Sequence, residues 1–368
     1  MSGTRSRHGA PDWWLLGITI VLTAFGLLMV YSASGIVAEK NMADTYYFFK
    51  RQLLFAAVGG IALAVAAGLP RETLNRLHYP FLFGSFLLLI IALSPLGVKV
   101  NGAQRWIGFG PIRLQPMEFA KIALVLYLGW FMAGKQAIIK TFSGGVIPPF
   151  LVTGTLCLLL LVQPDFGGAV LLSSLLFFMC LVGGTRFLYL FISACLACGA
   201  VYLLITNADY RMSRLLAFLD PWAVAQGAGY QLVQGLLALG SGGLGGLGLG
   251  AGRQKLFYLP EAHNDFIMAV IGEEAGFIGI SLVILLFGVF IWRGMRIALR
   301  QDDLRDRLTA FGIILVPGLS ILLNLAVVFG CAPPKGVPMP FFSYGGSSLM
   351  ASLSCVGLLL NYSRTAKA

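Results

Sequence analysis

Charged side chains are scarce in this 368-residue sequence: they make up 11% of it, against 58% for hydrophobic residues. Soluble domains typically carry about 25% charged residues, so this composition excludes a soluble domain. The apolar runs are continuous, without the alternation of polar and apolar residues that membrane β-barrels show. The sequence therefore predicts membrane-spanning helices, in which each segment satisfies its own backbone hydrogen bonds.

The sequence also lacks the patterns of several kinds of site. Its three histidines, His8, His78 and His263, are scattered and predict no metal site. Cys195 and Cys198 form a C-x-x-C, but they fall inside an apolar run, which favours small packing residues. The net charge is +11, yet no basic run is long enough for a nucleic-acid patch. This charge suits anionic lipid headgroups or a phosphate-bearing ligand.

Ten apolar runs are about long enough to cross the hydrocarbon core of a bilayer as helices. The predicted spans are 13–33, 52–69, 80–96, 117–134, 146–162, 167–184, 187–205, 266–292, 308–331 and 345–361. The first run exceeds the apolar core of a cleavable signal peptide, so we interpret it as a span. The fold class is an all-α polytopic membrane protein. A single transmembrane domain covers 1–368, with a large extracytoplasmic loop at 206–264 between the seventh and eighth helices.

Basic residues predict the orientation of these spans. Arg5 and Arg7 precede the first span, and five arginines join the eighth and ninth: Arg293, Arg296, Arg300, Arg305 and Arg307. Loops rich in Lys and Arg stay in the cytoplasm, so ten spans place both termini there. The basic residues left outside are concentrated in the loops 97–121 and 206–264, where we expect a ligand to hold them.

The 206–264 loop contains an amphipathic stretch and a glycine run. Tyr230–Leu239 predicts an interfacial helix, and Gly240–Gly252 predicts a tight turn. The run includes a G-x-G-x-x-G, but no strand precedes it and no acidic residue follows at the spacing of a dinucleotide site. We expect these glycines to let the backbone pack closely against the bundle or a lipid headgroup.

Asp265 follows this loop and is the candidate catalytic residue. Pro260 and Glu261 suit the first turn of a helix, which predicts that Asp265 lies in the second turn. Small residues would then share its helix face within about 40°, and they let a neighbouring helix approach: Gly272, Gly276 and Gly279. Asp265 is thus predicted to face the bundle, where a carboxylate is rarely incidental. The alternative is a structural ion pair or a helix cap.

Two further groups of polar residues are open to substrate-binding and structural interpretations. Arg105 and Arg113 lie outside beside Trp106, and arginine binds pyrophosphate in a bidentate manner; the alternative is interfacial snorkelling. Glu118 and Lys121 share a helix face inside the membrane. A structural ion pair and a substrate role are equally open for them.

The remaining polar motifs favour structural roles. Glu273 and Glu274 are adjacent within a span, so at least one is expected to pair with a basic residue or to be protonated. Asp165 is expected to cap the next helix. Ser347 and Ser348 precede the last span and are expected to cap it, with a polar ligand as the alternative.

Together these motifs resemble the SEDS family (shape, elongation, division, sporulation). The resemblance extends over essentially the whole chain and is closest to its FtsW- and SpoVE-type members. It implies a ten-helix fold and a peptidoglycan glycosyltransferase that polymerises lipid II during septal cell-wall synthesis, releasing undecaprenyl pyrophosphate. The segments that carry it are 101–121, 163–167, 209–265, 272–276, 343–348 and 357–364.

The resemblance also implies site residues and partners. The essential aspartate of the family matches Asp265, its Arg-Trp motif matches Arg105 and Trp106, and its membrane Glu/Lys pair matches Glu118 and Lys121. The implied partners are lipid II, an undecaprenyl-linked glycan, a class B penicillin-binding protein and other division proteins in the bacterial inner membrane. The sequence departs from the family pattern at Met117, Asn264 and 332–335.

A mechanism follows as a hypothesis. Asp265 would act as the general base, and cationic side chains would stabilise the leaving pyrophosphate. The candidate substrate-binding residues are Arg105, Trp106, Arg113, Glu118, Lys121, Arg211, Lys255, His263, Ser347 and Ser348. No cofactor motif is evident, and a divalent cation (Mg or Mn) at the diphosphate is left open. The alternatives are a lipid II flippase, with polar groups through the midplane, and a non-catalytic divisome scaffold.

Overall fold

The computed structural model describes residues 9–100, 102–110, 112–256 and 258–365. Arg5 and Arg7, which support the predicted orientation, lie outside the described residues, as does His8. A helix coincides with each of the ten predicted spans: α1 Trp13–Met42, α2 Tyr47–Gly68, α4 His78–Leu93, α5 Pro116–Gly134, α6 Ile147–Val162, α7 Phe166–Gly183, α8 Phe187–Thr206, α11 Ile267–Leu299, α12 Leu304–Val328 and α13 Gly346–Ser363. Three shorter helices are α3 Arg71–Arg76, α9 Asp209–Leu219 and α10 Tyr230–Ser241.

Eight segments in the described part of the chain are long and apolar enough to cross a bilayer. They are α1, α2, α5, Phe142–Val162, α7, α8, α11 and α12. α4 is apolar but only 16 residues long. α13 carries several serines and Asn361, most of them buried against neighbouring helices. The chain is therefore a multi-pass helical membrane protein.

α5 and α12 form the centre of the bundle and pack against each other. They approach closely because small residues line their contact. A Cβ at Gly129 would overlap the hydroxyl of Thr309, and a Cβ at Gly312 would lie 2.5 Å from Val125. α8, by contrast, is almost wholly exposed and contacts mainly α7 and α9.

The loop 97–121, which is predicted to lie outside, contains a small antiparallel sheet that the all-α prediction missed. Its strands are β1 Gly97–Val100, β2 Ala103–Phe109 and β3 Ile112–Leu114, with β2 in the middle. Gly102 and Gly110, at φ 78° and 61°, form the two turns. Strands this short leave little periodicity in a sequence. The sheet fixes the position of Arg105, which lies on β2.

The first and last described segments of the chain meet on one face of the bundle. The Gly9 amide donates to the Arg364 carbonyl (2.8 Å), and Arg293 pairs with Asp12 at 2.6 Å. Arg293 lies in the last part of α11, whereas Asp265 lies just before its first residue. α11 therefore runs from the Asp265 face to the face that holds both termini.

The eighth span begins within one residue of its predicted start at 266, but the helix start predicted at Pro260 and Glu261 is wrong by about two turns. α11 begins at Ile267, so Asp265 precedes the helix and is not in its second turn. Glu261, at φ 51°, has a left-handed backbone that a helix does not accommodate. α11 is also broken at Gly276 (φ 65°, ψ −165°), so the predicted stripe of glycines aligned with Asp265 does not form.

The 206–264 loop is more helical than predicted. The amphipathic stretch forms α10 as expected, and α10 packs against α11. α9 was not predicted, because it is only 11 residues long and carries three charged residues. This helix matters for the site because it carries Arg211 and Arg214.

Candidate functional site

Asp265 is held through its backbone while its carboxylate is left available. Its carbonyl accepts a hydrogen bond from Asn324 Nδ2 (2.9 Å), and Asn324 also donates to the Val337 carbonyl (2.9 Å). A Cβ at Gly336 would lie 3.2 Å from Asp265 Oδ2, so the absence of a side chain there keeps the carboxylate accessible. Among the described residues, none donates a hydrogen bond to this carboxylate. The side chain is partly exposed and can receive a proton.

The surroundings of Asp265 raise its pKa to about 7. The largest cause is burial, which disfavours the charged form, and the nearby negative charge of Glu261 adds to it. Arg214 and Arg105 act in the opposite direction and lower the pKa. A general base works best when its pKa lies near the operating pH, so this environment suits Asp265 to take a proton near neutrality.

Arg105 is fixed against the turn between α6 and α7. Its Nε donates to the Gln163 carbonyl (3.3 Å), another of its nitrogens donates to the Pro164 carbonyl, and it lies 3.9 Å from Asp165 Oδ1. Asp165 accepts a hydrogen bond from the Gly168 amide (3.0 Å), which confirms the predicted cap of α7. Arg105 therefore brings a partly exposed positive charge to the Asp265 region at a defined position.

Three more cations lie on the segments around Asp265. Arg211 and Lys335 both lie over the ring of Phe166, at 5.9 and 5.2 Å. Arg214 donates to the Pro334 carbonyl (3.2 Å) and ties α9 to the loop before α13. Burial lowers the pKa of Lys335. We call Arg105, Arg211, Arg214 and Lys335 the cationic cluster.

Sequence reasoning missed Arg214 and Lys335. Arg214 follows Arg211 by three residues, the spacing that places two side chains on one helix face, but α9 itself was not predicted. Lys335 belongs to a motif that precedes the last span and to the 332–335 departure from the family pattern, and neither feature marked it as a site residue. The fold brings it next to Gly336 and hence to Asp265.

His263 is a packing residue next to Asp265. Its ring lies 4.7 Å from that of Phe48 and 5.7 Å from that of Tyr344, and only 9% of the residue is exposed. Burial lowers its pKa to about 4, so the ring is neutral at pH 7. The Tyr344 amide donates to the His263 carbonyl (2.9 Å), and Ser343 Oγ donates to the Asn264 carbonyl (2.7 Å). These contacts fix the approach to Asp265.

The predicted serine cap of α13 does not form. Its N-cap is Gly345, and no side chain caps the helix there. Ser347 instead accepts from the Gln115 amide (2.8 Å) and donates to the Arg113 carbonyl (3.4 Å), so it joins α13 to the end of β3. Ser348 is buried in the first turn of α13.

The last two predicted residues of the loop 97–121 lie on its small sheet. Arg113 is exposed at the end of β3. Trp106 is half-buried and adjoins Arg105 on β2, so the alternation of the strand directs it to the opposite face.

Two predicted lysines are engaged in buried ion pairs. Lys121 pairs with Glu118 at 2.8 Å on α5, with 5% and 3% of the two side chains exposed. Lys255 pairs with Glu274 at 2.5 Å, with 4% and 0% exposed. The second pair confirms that one of the two adjacent glutamates has a basic partner. Neither lysine contacts Asp265 in the described structure. Within that same part of the chain, no three His, Cys, Asp or Glu side chains are grouped as metal ligands.

The chain is similar to known proteins over almost its whole length. The family model of cell cycle proteins of the FtsW, RodA and SpoVE type matches residues 12–368. A protein of Trichlorobacter lovleyi named probable peptidoglycan glycosyltransferase FtsW is 45% identical over 358 residues, covering 97% of this chain and 94% of that protein. Stage V sporulation protein E of Bacillus subtilis is 40% identical over 360 residues, with 98% of both chains covered.

Solved structures agree with the sequence matches. One chain comes from work described as the structural coordination of polymerization and crosslinking by a peptidoglycan synthase complex. It matches with a TM-score of 0.78 and 30% identity over 96% of this chain and 98% of that one. The rod shape determining protein RodA of Thermus thermophilus matches with a TM-score of 0.73 and 29% identity over 98% of both chains. This chain belongs to the FtsW, RodA and SpoVE family of cell cycle proteins.

Proposed function

We propose that this chain is a peptidoglycan glycosyltransferase that polymerises lipid II during septal cell-wall synthesis, with Asp265 as its general base. One observation carries the proposal. A partly exposed carboxylate with a pKa of about 7 lies beside the cationic cluster, on the face opposite the chain termini. Relatives named peptidoglycan glycosyltransferase at 41–45% identity support the same activity.

The reaction needs the two kinds of group that the site provides. The 4-hydroxyl oxygen of a GlcNAc attacks the anomeric carbon of a MurNAc and forms the new glycosidic bond. The bond from that carbon to the pyrophosphate breaks, and the electron pair leaves with undecaprenyl pyrophosphate. Asp265 takes the hydroxyl proton, a role worth typically about 10²–10⁴ in rate. The cationic cluster stabilises the charge that develops on the pyrophosphate.

Asp265 is proposed to lie on the extracytoplasmic face of the bacterial inner membrane. The arginines at the end of α11 and the start of α12 favour a cytoplasmic location for the face where Gly9 meets Arg364. Because α11 runs from that face to Asp265, Asp265 is proposed to lie outside, where the lipid-linked sugars are polymerised. The division septum is the proposed site of action because the relatives include FtsW proteins.

A class B penicillin-binding protein is the proposed partner, together with other division proteins. The solved complex that matches this chain couples polymerization to crosslinking, and crosslinking is the chemistry that such a partner supplies. Lipid II and the growing undecaprenyl-linked glycan are the proposed substrates. Their tails are expected to lie against the exposed apolar surfaces of the helices.

A lipid II flippase and a non-catalytic scaffold are less well supported. A flippase needs polar groups available through the midplane, but two of the buried glutamates are already engaged in ion pairs. Glu118 pairs with Lys121, and Glu274 pairs with Lys255. A scaffold would not need a carboxylate whose pKa is raised to about 7 beside several cations.

Polymerisation of purified lipid II tests the proposal. The complete chain, purified with a class B penicillin-binding protein, should form lipid-linked glycan strands on a gel. Asp265→Asn should abolish the strands while folding and partner binding persist. Asp44→Asn is the matched control, because this exposed carboxylate pairs only with Lys50 on the surface. Strands made by Asp265→Asn would exclude Asp265 as the base. Adding a chelator, then Mg²⁺ or Mn²⁺, tests for a divalent cation.

A further inference from the structure

The break in α11 is filled by the glycine-rich segment 242–248. In an unbroken helix, the amides of Phe277 and Ile278 would donate to the carbonyls of Glu273 and Glu274. Here they donate to the carbonyls of Gly243 and Leu244 (2.9 and 3.1 Å). The two glutamate carbonyls accept instead from the amides of Leu247 and Gly248 (2.9 and 3.0 Å). Two hydrogen bonds of the helix are thus replaced by four to the inserted segment.

Only glycine fits at the points where the two backbones meet. Gly246 and Gly276 have φ of 79° and 65°, which side chains rarely adopt. A Cβ at Gly246 would overlap the carbonyl of Glu274, and a Cβ at Gly276 would overlap the amide of Gly246. The segment satisfies the backbone groups that the break exposes, as irregular backbone within a membrane protein must.

The side chains of the same two glutamates hold the continuation of the segment. Glu273 accepts from the amides of Arg253 (2.7 Å) and Gln254 (3.2 Å). Glu274 accepts from Lys255 Nζ (2.5 Å) and from Ser32 Oγ (2.7 and 2.8 Å), and Lys255 also donates to Ser32 (3.0 Å). We call Ser32, Lys255, Glu273 and Glu274 the anchor. It joins α1, α11 and the chain that leads to Asp265.

Along the chain, Asp265 lies between Lys255 and the two glutamates of this anchor. Lys255 precedes it, and Glu273 and Glu274 follow it after less than three turns of α11. We propose that the anchor is a positioning device for Asp265, which it fixes relative to the cationic cluster; this proposal rests on the proposed function. Buried ion pairs add little net stability compared with well-packed apolar side chains, so a pair kept here fits a role in fixing one arrangement.

The direct test removes both charges of the Lys255–Glu274 pair at once. The double variant Lys255→Met/Glu274→Leu leaves no unpaired buried charge and is expected to fold. With lipid II as substrate, its kcat is expected to fall about tenfold to a hundredfold, as for a catalytic group displaced by about 1 Å. KM should stay within about twofold, because the cationic cluster is untouched. The charge-reversed pair Lys255→Glu/Glu274→Lys should recover most of the lost kcat.

Two glycine substitutions, a test and a control, probe the backbone contacts between the segment 242–248 and α11. Gly246→Ala forces the segment away from Glu274 and is expected to lower kcat in the same way. Gly240→Ala, at the end of α10, meets no atom within 4 Å and is the control. Should either anchor variant fail to fold, Ser32→Ala removes only the hydroxyl contacts and is expected to lower kcat severalfold with KM unchanged.

The outcomes separate this proposal from the proposed function. If Asp265→Asn is inactive while the folded double variant and Ser32→Ala keep the wild-type kcat, the anchor does not position Asp265. A rise in KM with kcat unchanged would also contradict the proposal, since it would indicate a binding role. If Asp265→Asn itself is active, the proposed function fails and the anchor has no base to position.

Discussion

Asp265 and Glu274 are carboxylates on one stretch of chain, but their surroundings differ in every respect that matters for chemistry. Glu274 is fully buried and bound by Lys255 and Ser32. Asp265 is partly exposed, and no described residue donates a hydrogen bond to its carboxylate. The difference shows that charge within a membrane bundle marks a reactive site only where it is left without a partner.

The largest effect on stability is expected at the paired carboxylate. Lys255→Met alone leaves the Glu274 charge buried without its cation, which should cost about 3–5 kcal/mol of unfolding free energy. Chemical unfolding of the purified protein in detergent measures this cost. Lys50→Met is the control, because its pair with Asp44 is exposed and should contribute less than about 1 kcal/mol. Equal losses in the two variants would contradict the comparison.

The cationic cluster should govern the activity and pKa of Asp265. Arg214 lowers the pKa of this carboxyl, so Arg214→Ala should move the acid limb of the pH–rate profile to higher pH. It should also reduce kcat/KM by about tenfold, since one donor to the pyrophosphate is lost. Steady-state kinetics over a pH series measure both. A reduced rate with an unshifted limb would show that Arg214 acts on the substrate alone.

Asp265 itself should weaken the fold at higher pH. Its folded pKa of about 7 lies above the ordinary value of 3.8, so its stabilising contribution is lost as pH rises through 7. Asp265→Asn cannot ionise, so it should unfold at a slightly higher temperature than the wild type at pH 8. The two proteins should converge towards pH 4. A lower unfolding temperature for Asp265→Asn at pH 8 would contradict the raised pKa.

The sequence predicted the helices well because each apolar run must satisfy its backbone inside the membrane. Local motifs predicted the cap at Asp165, which the structure confirms, and they marked Asp265 and Arg105 as candidate site residues. The sequence did not predict the sheet that carries Arg105 or the break at Gly276, because both depend on contacts between distant segments. For the same reason Lys255, predicted to bind substrate, is engaged with Glu274.

The pH dependence of single-turnover polymerisation tests the central claim most directly. If Asp265 is the general base, kcat/KM for lipid II should fall about tenfold per pH unit below a midpoint near 7. Asp265→Asn should form no strands at any pH in this range. A wild-type profile that is flat from pH 5 to 8, or the same limb in Asp265→Asn, would assign the proton transfer to another group.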